Sequence, residues 1–231
     1  GFAQALVGHL KAGLGMTTVM TCIFFAAISG SSPATVAAVG NILYPSLLKE
    51  GYSERYAIGA LATSGSIGIL IPPSIPLILY GFVTETSIPA LFLAGIIPGL
   101  LYGALLLLTA RVLAVREGIE TRKRASLAEL VASFKSSLPA LSLPLFIVIG
   151  IYGLPPIDMF GIKFDAGAIF TPTEAAAISA VLAMIIGFVV YRELTFKEVV
   201  KVVIESGPRV GMIFWITANA LLFGYFLTKV G

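Results

Sequence analysis

Two runs of glycine, serine and proline interrupt the apolar sequence of this chain, and they restrict its fold more than any other feature. The first run is Ile28–Thr35, ISGSSPAT, and the second is Ser64–Pro76, SGSIGILIPPSIP. In a membrane, each backbone N–H or C=O without a partner costs several kcal/mol. A broken helix therefore persists at membrane depth only where the break is buried in protein or lines a polar cavity. We interpret both runs as helix breaks with a function.

The composition indicates a membrane protein. Hydrophobic residues make up 58% of the chain and charged residues 12%, whereas soluble proteins carry about 25% charged residues. The sequence therefore predicts an all-α integral membrane protein, with room for roughly six to eight segments of about 20 residues. The single cysteine, Cys22, allows no disulfide within the chain.

The first break predicts a re-entrant helical hairpin over residues 16–48. The apolar run Met16–Ile28 has about 13 residues, or roughly 20 Å of helix, which is too short to cross about 30 Å of hydrocarbon. It stops at Ser29–Pro33, and a second short arm, Ala34–Leu48, follows. Pro33 suits the first turn of this second arm, where its missing N–H is no loss.

The second break predicts a discontinuous membrane helix over residues 54–84. Ser53 is the expected N-cap of a first half, Glu54–Ser64. The sequence then breaks at Gly65–Gly68 and reaches three prolines, which cannot lie inside a regular helix because each lacks a donor and clashes with the preceding turn. A second half, Leu77–Thr84, completes the crossing.

The rest of the chain reads as further helices. Gly95, Gly99 and Gly103 share one face of a spanning helix and would let another helix approach closely, either from this chain or from a partner. The expected elements are a spanning helix over 90–115, an interfacial helix over 126–135, a spanning segment over 138–154, a mixed loop over 155–170, a helix from 171 to 191, an amphipathic helix over 194–206 and an apolar segment over 207–228.

A capping box is predicted where the helix after residue 170 begins. Thr171 is the expected N-cap, Pro172 the first helical residue and Glu174 the partner that reaches back to the Thr171 N–H. Glu174 could instead carry protons or ions, and the sequence leaves this alternative open.

The basic residues support the re-entrant hairpin. If the hairpin enters and leaves on one side, 13 of the 15 Lys and Arg residues face the cytoplasm, as the positive-inside rule requires. They are Lys11, Lys49, Arg55, Arg111, Arg116, Arg122, Lys123, Arg124, Lys135, Arg192, Lys197, Lys201 and Arg209. A helix held at the anionic leaflet explains the basic stretch 111–135 better than nucleic-acid binding does, because no folded basic domain accompanies it.

The chemistry of the breaks favours a cation bound by neutral oxygens. Neither run contains an aspartate or glutamate, so a sodium site would be built from backbone carbonyls and hydroxyls, which are hard ligands for a hard cation. The available hydroxyls are those of Ser29, Ser31, Ser32, Thr35, Ser64, Ser66 and Ser74. The small residues could instead serve only close helix packing, but packing alone does not require the proline cluster.

Enzymatic chemistry finds little support in the residues. No GxxxxGK[ST] run is present, which excludes ATP hydrolysis by this chain. We expect no enzyme activity and no organic cofactor. An intramembrane serine hydrolase stays open on residue type, although such an enzyme needs a base and the nearby ionisable groups only flank the breaks.

Four stretches resemble the large membrane subunit of tripartite ATP-independent periplasmic (TRAP) transporters. They are AAISGSSPATVAAVGNILYPSLLKEGY, ATSGSIGILIPPSIPLILYG, SIPALFLAGIIPGLL and FTPTEAAAISAVLAMIIG followed by YRELT. The resemblance implies an elevator-type fold with inverted repeats in the bacterial or archaeal cytoplasmic (inner) membrane. It implies a sodium-driven importer of C4-dicarboxylates, sialic acid or similar organic acids. The expected partners are a small four-helix membrane subunit and a periplasmic substrate-binding protein.

The resemblance also implies site residues and domains. Ser29, Gly68, Ile71 and Pro73 match positions that form a sodium site, mostly through main-chain carbonyls. Gly30, Ser31, Ser32, Thr35, Ser64 and Ser66 fall at the hairpin tip or the substrate site. Residues 1–89 are expected in the transport domain, 90–206 in scaffold and arm helices and 207–231 in the start of a second repeat.

The second hairpin of the family is missing from this sequence, so we expect a fragment of a longer protein that lacks N-terminal and C-terminal parts. The alternative function is a membrane scaffold or assembly subunit that does not transport.

Overall fold

The computed structural model describes residues 2–8, 13–119, 126–153, 157–159, 162–164 and 167–230. Lys11, Arg122, Lys123 and Arg124, which enter the predicted orientation, lie outside the described residues. In the described part, helices form nearly the whole structure. They are α1 (Phe2–Val7), α2 (Gly13–Ser29), α3 (Ser32–Lys49), α4 (Glu54–Gly65), α5 (Ile75–Val83), α6 (Ile88–Arg116), α7 (Leu127–Tyr152), α8 (Pro172–Ile185) and α9 (Phe196–Val230).

A helical hairpin is confirmed in the pair α2 and α3, and its re-entrant insertion in the membrane stays a prediction. Only Gly30 and Ser31 separate the two helices, and both helices pack against α4. The arms have 17 and 18 residues, or about 26 Å of helix each. They are longer than predicted, because Gly13–Gly15 and Ser29 join the first arm, and Ser32–Pro33 and Lys49 join the second. Cys22, Val39 and Leu61 pack together where the hairpin meets α4.

The predicted discontinuous helix is confirmed as well. α4 ends at Gly65, a 3₁₀ turn covers Ser66–Ile69, and α5 begins at Ile75. Ser53 caps α4, as expected, by accepting a hydrogen bond from the Tyr56 N–H at 3.1 Å. Ser74 caps α5 in the same way, through the Leu77 N–H at 3.5 Å.

Two predicted helix boundaries are wrong. The interfacial helix over 126–135 and the segment over 138–154 form one continuous helix, α7, and the elements over 194–206 and 207–228 form α9. Both predicted boundaries lie where charged sequence gives way to apolar sequence. Such a change marks a change of surroundings and does not end a helix, and Pro139 and Pro208 are carried inside α7 and α9.

A short β-hairpin lies in the predicted loop 155–170. Strand β1 (Ile157–Met159) pairs antiparallel with β2 (Ile162–Phe164), with Asp158 opposite Lys163 in the register. This ribbon connects α7 to α8, which pack against each other.

Four of the described helices are long and apolar enough to cross a membrane: α6, α7, α8 with its π-helical extension Ile186–Tyr191, and α9. Large apolar side chains on the outside of the structure include Ile97, which is 77% exposed, and Phe82, which is 73% exposed. Exposure of this kind suits a lipid environment and would be costly in water. The chain is therefore an integral membrane protein with an all-α membrane fold.

Candidate functional site

The hairpin tip and the break in the second helix meet backbone to backbone. The Ile75 N–H donates to the Gly30 carbonyl at 3.1 Å. A methyl group added at Gly30 would collide with the Pro73 carbonyl, and one added at Gly68 would lie 3.0 Å from the Ser31 carbonyl carbon. Gly30 also has a φ of +59°, which glycine adopts without steric cost. Glycine is therefore required at both positions for the two segments to approach this closely.

Hydroxyl groups close the tip internally. The hydroxyl oxygens of Ser29 and Thr35 lie 2.9 Å apart, and Thr35 donates to the Ser31 carbonyl at 2.8 Å. The Ser31 N–H in turn donates to the Ser29 hydroxyl at 3.3 Å. Thr35 is fully buried. The sequence predicts that these three residues share the hairpin tip, and in the structure this hydrogen-bond network connects them.

Two buried hydroxyls of the hairpin and the broken helix lack a partner. Among the described residues, these unpaired side-chain oxygens are Ser32 Oγ and Ser64 Oγ. Ser32 lies at the contact between α3 and α4, because a methyl group at Gly65 would lie 3.4 Å from the Ser32 carbonyl oxygen, whereas Ser64 lines a separate cavity between α4 and α6. A buried hydroxyl without a hydrogen bond costs about 1–3 kcal/mol. A cation or other bound molecule that contacts such a hydroxyl oxygen would remove this cost.

The prolines of the break release backbone carbonyls from helical hydrogen bonding. The α-helical donor for the Gly68 carbonyl would be residue 72, which is a proline without an N–H. The donor for the Ile71 carbonyl would be the Ile75 N–H, which instead binds Gly30. These carbonyls and the unpaired Ser32 hydroxyl are neutral oxygens, the type of hard ligand that sodium prefers.

The electrostatics of the site come from helix ends, because residues 28–35 and 64–76 contain no ionisable side chain. The N-terminus of α3, an 18-residue helix, has no side-chain cap, whereas Ser74 caps that of α5. Free N–H groups and the helix dipole favour an anion at an uncapped N-terminus. The tip therefore offers oxygens to a cation and amide N–H groups to an anion within one small region.

Ser66 and the Ile71 side chain do not join this site. The Ser66 hydroxyl lies 2.8 Å from the Tyr102 hydroxyl and donates to the Thr63 carbonyl at 2.7 Å. The Ile71 side chain packs on Gly99 of α6. Only the backbone of Ile71 is available to the site, which agrees with the expectation that Ile71 contributes its main-chain carbonyl.

Helix α6 supports the discontinuous helix along its whole length, a contact that sequence reasoning left open. Its three aligned glycines pack on the break: Gly95 on the Leu70 carbonyl, Gly99 on Ile71, and Gly103 on Ile67. The contact therefore lies within the chain and does not require a partner.

Hydrogen bonds extend this support beyond the break. Tyr56 in α4 donates to the Ala110 carbonyl at 2.9 Å, and the Ser53 N–H donates to the Glu117 carboxylate at 3.1 Å. At the other end, Gly81 of α5 contacts Ile88. Nothing in the sequence indicated the Tyr56 and Tyr102 contacts. The Ser-x-Pro pattern of Ser74–Pro76 could have identified Ser74 as a cap.

The structure shows the capping box of α8. The Thr171 hydroxyl accepts from the Glu174 N–H at 3.3 Å, and Glu174 accepts from the Thr171 N–H at 2.8 Å. The Glu174 carboxylate therefore caps the N-terminus of α8 and lies outside the hairpin tip.

An apolar cavity of about 330 Å³ separates the tip from α7 and α8. Ser29 and Gly30 line one side, and Ile147, Ile151 and Ser179 line the other. The Ser179 hydroxyl donates to its own helix, to the Ala175 carbonyl at 2.6 Å. This side of the tip therefore offers few polar groups to a substrate.

Comparison with known proteins identifies relatives along the chain. A family model described as "Tripartite ATP-independent periplasmic transporter, DctM component" matches residues 1–231. The C4-dicarboxylate TRAP transporter large permease protein DctM of Pseudomonas aeruginosa is 43% identical over 227 residues, which are 98% of this chain and 50% of that protein. The DctM protein of Rhodobacter capsulatus is 36% identical over 244 residues, or 100% and 52% of the two chains. The ectoine TRAP transporter large permease protein TeaC of Halomonas elongata is 36% identical over 225 residues, or 97% and 49%.

The chain spans about half the length of these curated relatives. The family model extends over both helix breaks, α6 and the capped start of α8, which are the stretches that carry the resemblance. The chain therefore belongs to the DctM component family of the tripartite ATP-independent periplasmic transporters.

Proposed function

We propose that this chain forms part of the permease of a sodium-coupled, ATP-independent importer of small organic acids. One observation carries the proposal: the hairpin tip meets the broken helix backbone to backbone at Gly30 and Gly68, and Ser32 Oγ, at the start of the second hairpin arm, is buried without a partner. Carbonyls released by the prolines lie in the same segment. These neutral oxygens suit sodium.

The chain is a multi-pass protein of the bacterial or archaeal cytoplasmic membrane. In the proposed cycle, sodium binds between the tip and the break and holds the two segments in contact. The anionic group of the substrate then binds at the uncapped N-terminus of α3, next to the ion. Binding of each ligand favours the arrangement that the other requires, which couples their movement.

The relatives and the helix end both support an anionic substrate. Relatives are named for C4-dicarboxylates and ectoine, which carry carboxylates, and for isethionate, which carries a sulfonate. We propose a small carboxylate as the substrate of this protein as well. A small membrane subunit and a periplasmic binding protein are its proposed partners, and an elevator movement of the hairpin and broken helix is the proposed mechanism. We propose no enzymatic role.

The test is uptake of radiolabelled organic acids into proteoliposomes that contain the full-length permease with its membrane subunit, in the presence of the binding protein. We expect an inward sodium gradient to drive uptake without ATP. Uptake of the same size under a potassium gradient would contradict the sodium assignment. A scaffold subunit without an ion site would show no uptake and no stabilisation specific to sodium.

A further inference from the structure

A second cavity, of about 560 Å³, lies between α4 and α6 near the end where α4 begins and α6 finishes. Its volume falls within the range of about 300–1,000 Å³ that is usual for small-molecule sites. Arg55 and Arg116 are exposed members of its lining. The predicted orientation places this end of the helices at the cytoplasmic surface.

The walls of this cavity are mostly apolar. Three of its hydroxyl groups are paired: Thr63 donates to the Gly59 carbonyl at 2.7 Å, Thr109 to the Leu105 carbonyl at 2.8 Å and Tyr56 to the Ala110 carbonyl at 2.9 Å. The fourth, the unpaired Ser64 hydroxyl oxygen, is itself buried, so the four hydroxyl groups offer little to a ligand. The apolar members of the lining include Val19, Ala60, Leu106 and Leu113.

The two arginines are available to an anion. Among the described residues, neither guanidinium forms an ion pair. The carboxylate of Glu117 also belongs to the lining, but it accepts the N–H and O–H of Ser53. With Arg55, Arg116 and Glu117 counted together, the lining carries a net charge of +1.

We propose that this cavity binds an anionic phospholipid, with the headgroup phosphate at Arg55 and Arg116 and part of an acyl chain along the apolar walls. Basic pockets between membrane helices on the cytoplasmic side bind such headgroups. A free phosphate or dicarboxylate would need polar partners on all sides, which these walls lack. The two positive charges also make the cavity an unfavourable path for a cation.

The test uses the purified full-length protein and measures lipid binding by native mass spectrometry. The probes are dioleoylphosphatidylglycerol, dioleoylphosphatidylcholine and potassium phosphate. Wild type should bind phosphatidylglycerol more tightly than phosphatidylcholine. Since each basic residue near the membrane surface contributes about 1 kcal/mol, the double variant R55Q/R116Q should bind phosphatidylglycerol roughly 30-fold more weakly. The matched control is R111Q, because Arg111 lies on α6 outside the lining, and it should keep wild-type affinity.

A second variant tests the acyl-chain position without altering charge. A methyl group added at Gly59 would meet no atom within 4 Å, so Gly59→Leu should fill the cavity without disturbing the fold. We expect its unfolding temperature without lipid to stay at the wild-type value while phosphatidylglycerol binding is lost. Unchanged lipid binding in Gly59→Leu or in R55Q/R116Q would overturn the proposal. Displacement of the lipid by millimolar potassium phosphate would assign the site to free anions and overturn it too.

Discussion

A single methyl group at Gly68 should separate the two halves of the proposed sodium site. In Gly68→Ala the new carbon would lie 3.0 Å from the Ser31 carbonyl carbon and 3.2 Å from both the Ser31 oxygen and the Ser32 nitrogen. All three atoms belong to the backbone, so no side chain can rotate away. The tip must move by a few tenths of an ångström, which is enough to disturb oxygens that a cation must contact together.

The expected magnitude follows from the cost of overpacking, which is about 1–3 kcal/mol. If this cost is incurred when the tip closes on the ion, the sodium affinity should fall by about 5- to 150-fold. Gly68→Leu, which is larger, should abolish transport. The assay is the unfolding temperature of the full-length protein in detergent, measured against sodium chloride with potassium chloride at constant ionic strength, because a ligand stabilises the folded state according to its affinity.

The control for this prediction is Gly40→Ala. Gly40 lies in α3, in the same hairpin, and a methyl group there would meet only Leu61 Cδ1, at 3.8 Å. This variant should keep the sodium response of wild type. The reasoning fails if Gly68→Ala retains the wild-type sodium affinity within a factor of about two, or if both alanine variants lose it equally.

Four further changes test the site and the helices around it. Ser32→Ala should raise the unfolding free energy in potassium by about 1–3 kcal/mol, because it removes a buried unpaired hydroxyl, and it should lower the sodium affinity. If the unfolding free energy and the sodium affinity both fell, the result would argue against Ser32 as a sodium ligand. Glu174→Gln keeps the capping box and should leave sodium-driven uptake unchanged, whereas lost coupling would show that Glu174 carries ions. Thr171→Ala should cost about 1 kcal/mol of unfolding free energy, measured by thermal denaturation, without changing substrate affinity. Gly95→Ala should reduce uptake, because the added methyl group would lie 2.6 Å from the Leu70 carbonyl oxygen; full activity would show that this contact does not position the break.

The two helix breaks could be predicted from the sequence because their causes are local. Glycine and serine between two short apolar runs predict a turn. Pro72, Pro73 and Pro76 exclude a regular helix by their covalent structure. The direction of each hydroxyl could not be predicted in this way. Ser64 and Ser66 are two residues apart, but the 3₁₀ turn directs Ser66 to Tyr102 while Ser64 stays buried.

Other features depend on contacts between distant residues. The Gly95, Gly99 and Gly103 face was recognisable as a packing surface, yet nothing local identified its partner as the break itself. The continuity of α7 through Pro139 could not be predicted, because a change from charged to apolar sequence occurs both at helix ends and inside helices that pass into the membrane. Both the partner of the glycine face and the continuity of α7 depend on which segments pack against them, and the sequence alone does not show this.

The support that α6 gives to the broken helix has a consequence for ion selectivity at the proposed sodium site. α6 contacts the segment before the break through Ala110, the break itself through Gly95 and Gly99, and the segment after it through Ile88. An irregular backbone held on both sides keeps its carbonyl oxygens at fixed separations. A cavity of fixed size is one source of discrimination between ions of different radius, so the stiffness supplied by α6 would favour sodium over the larger potassium ion.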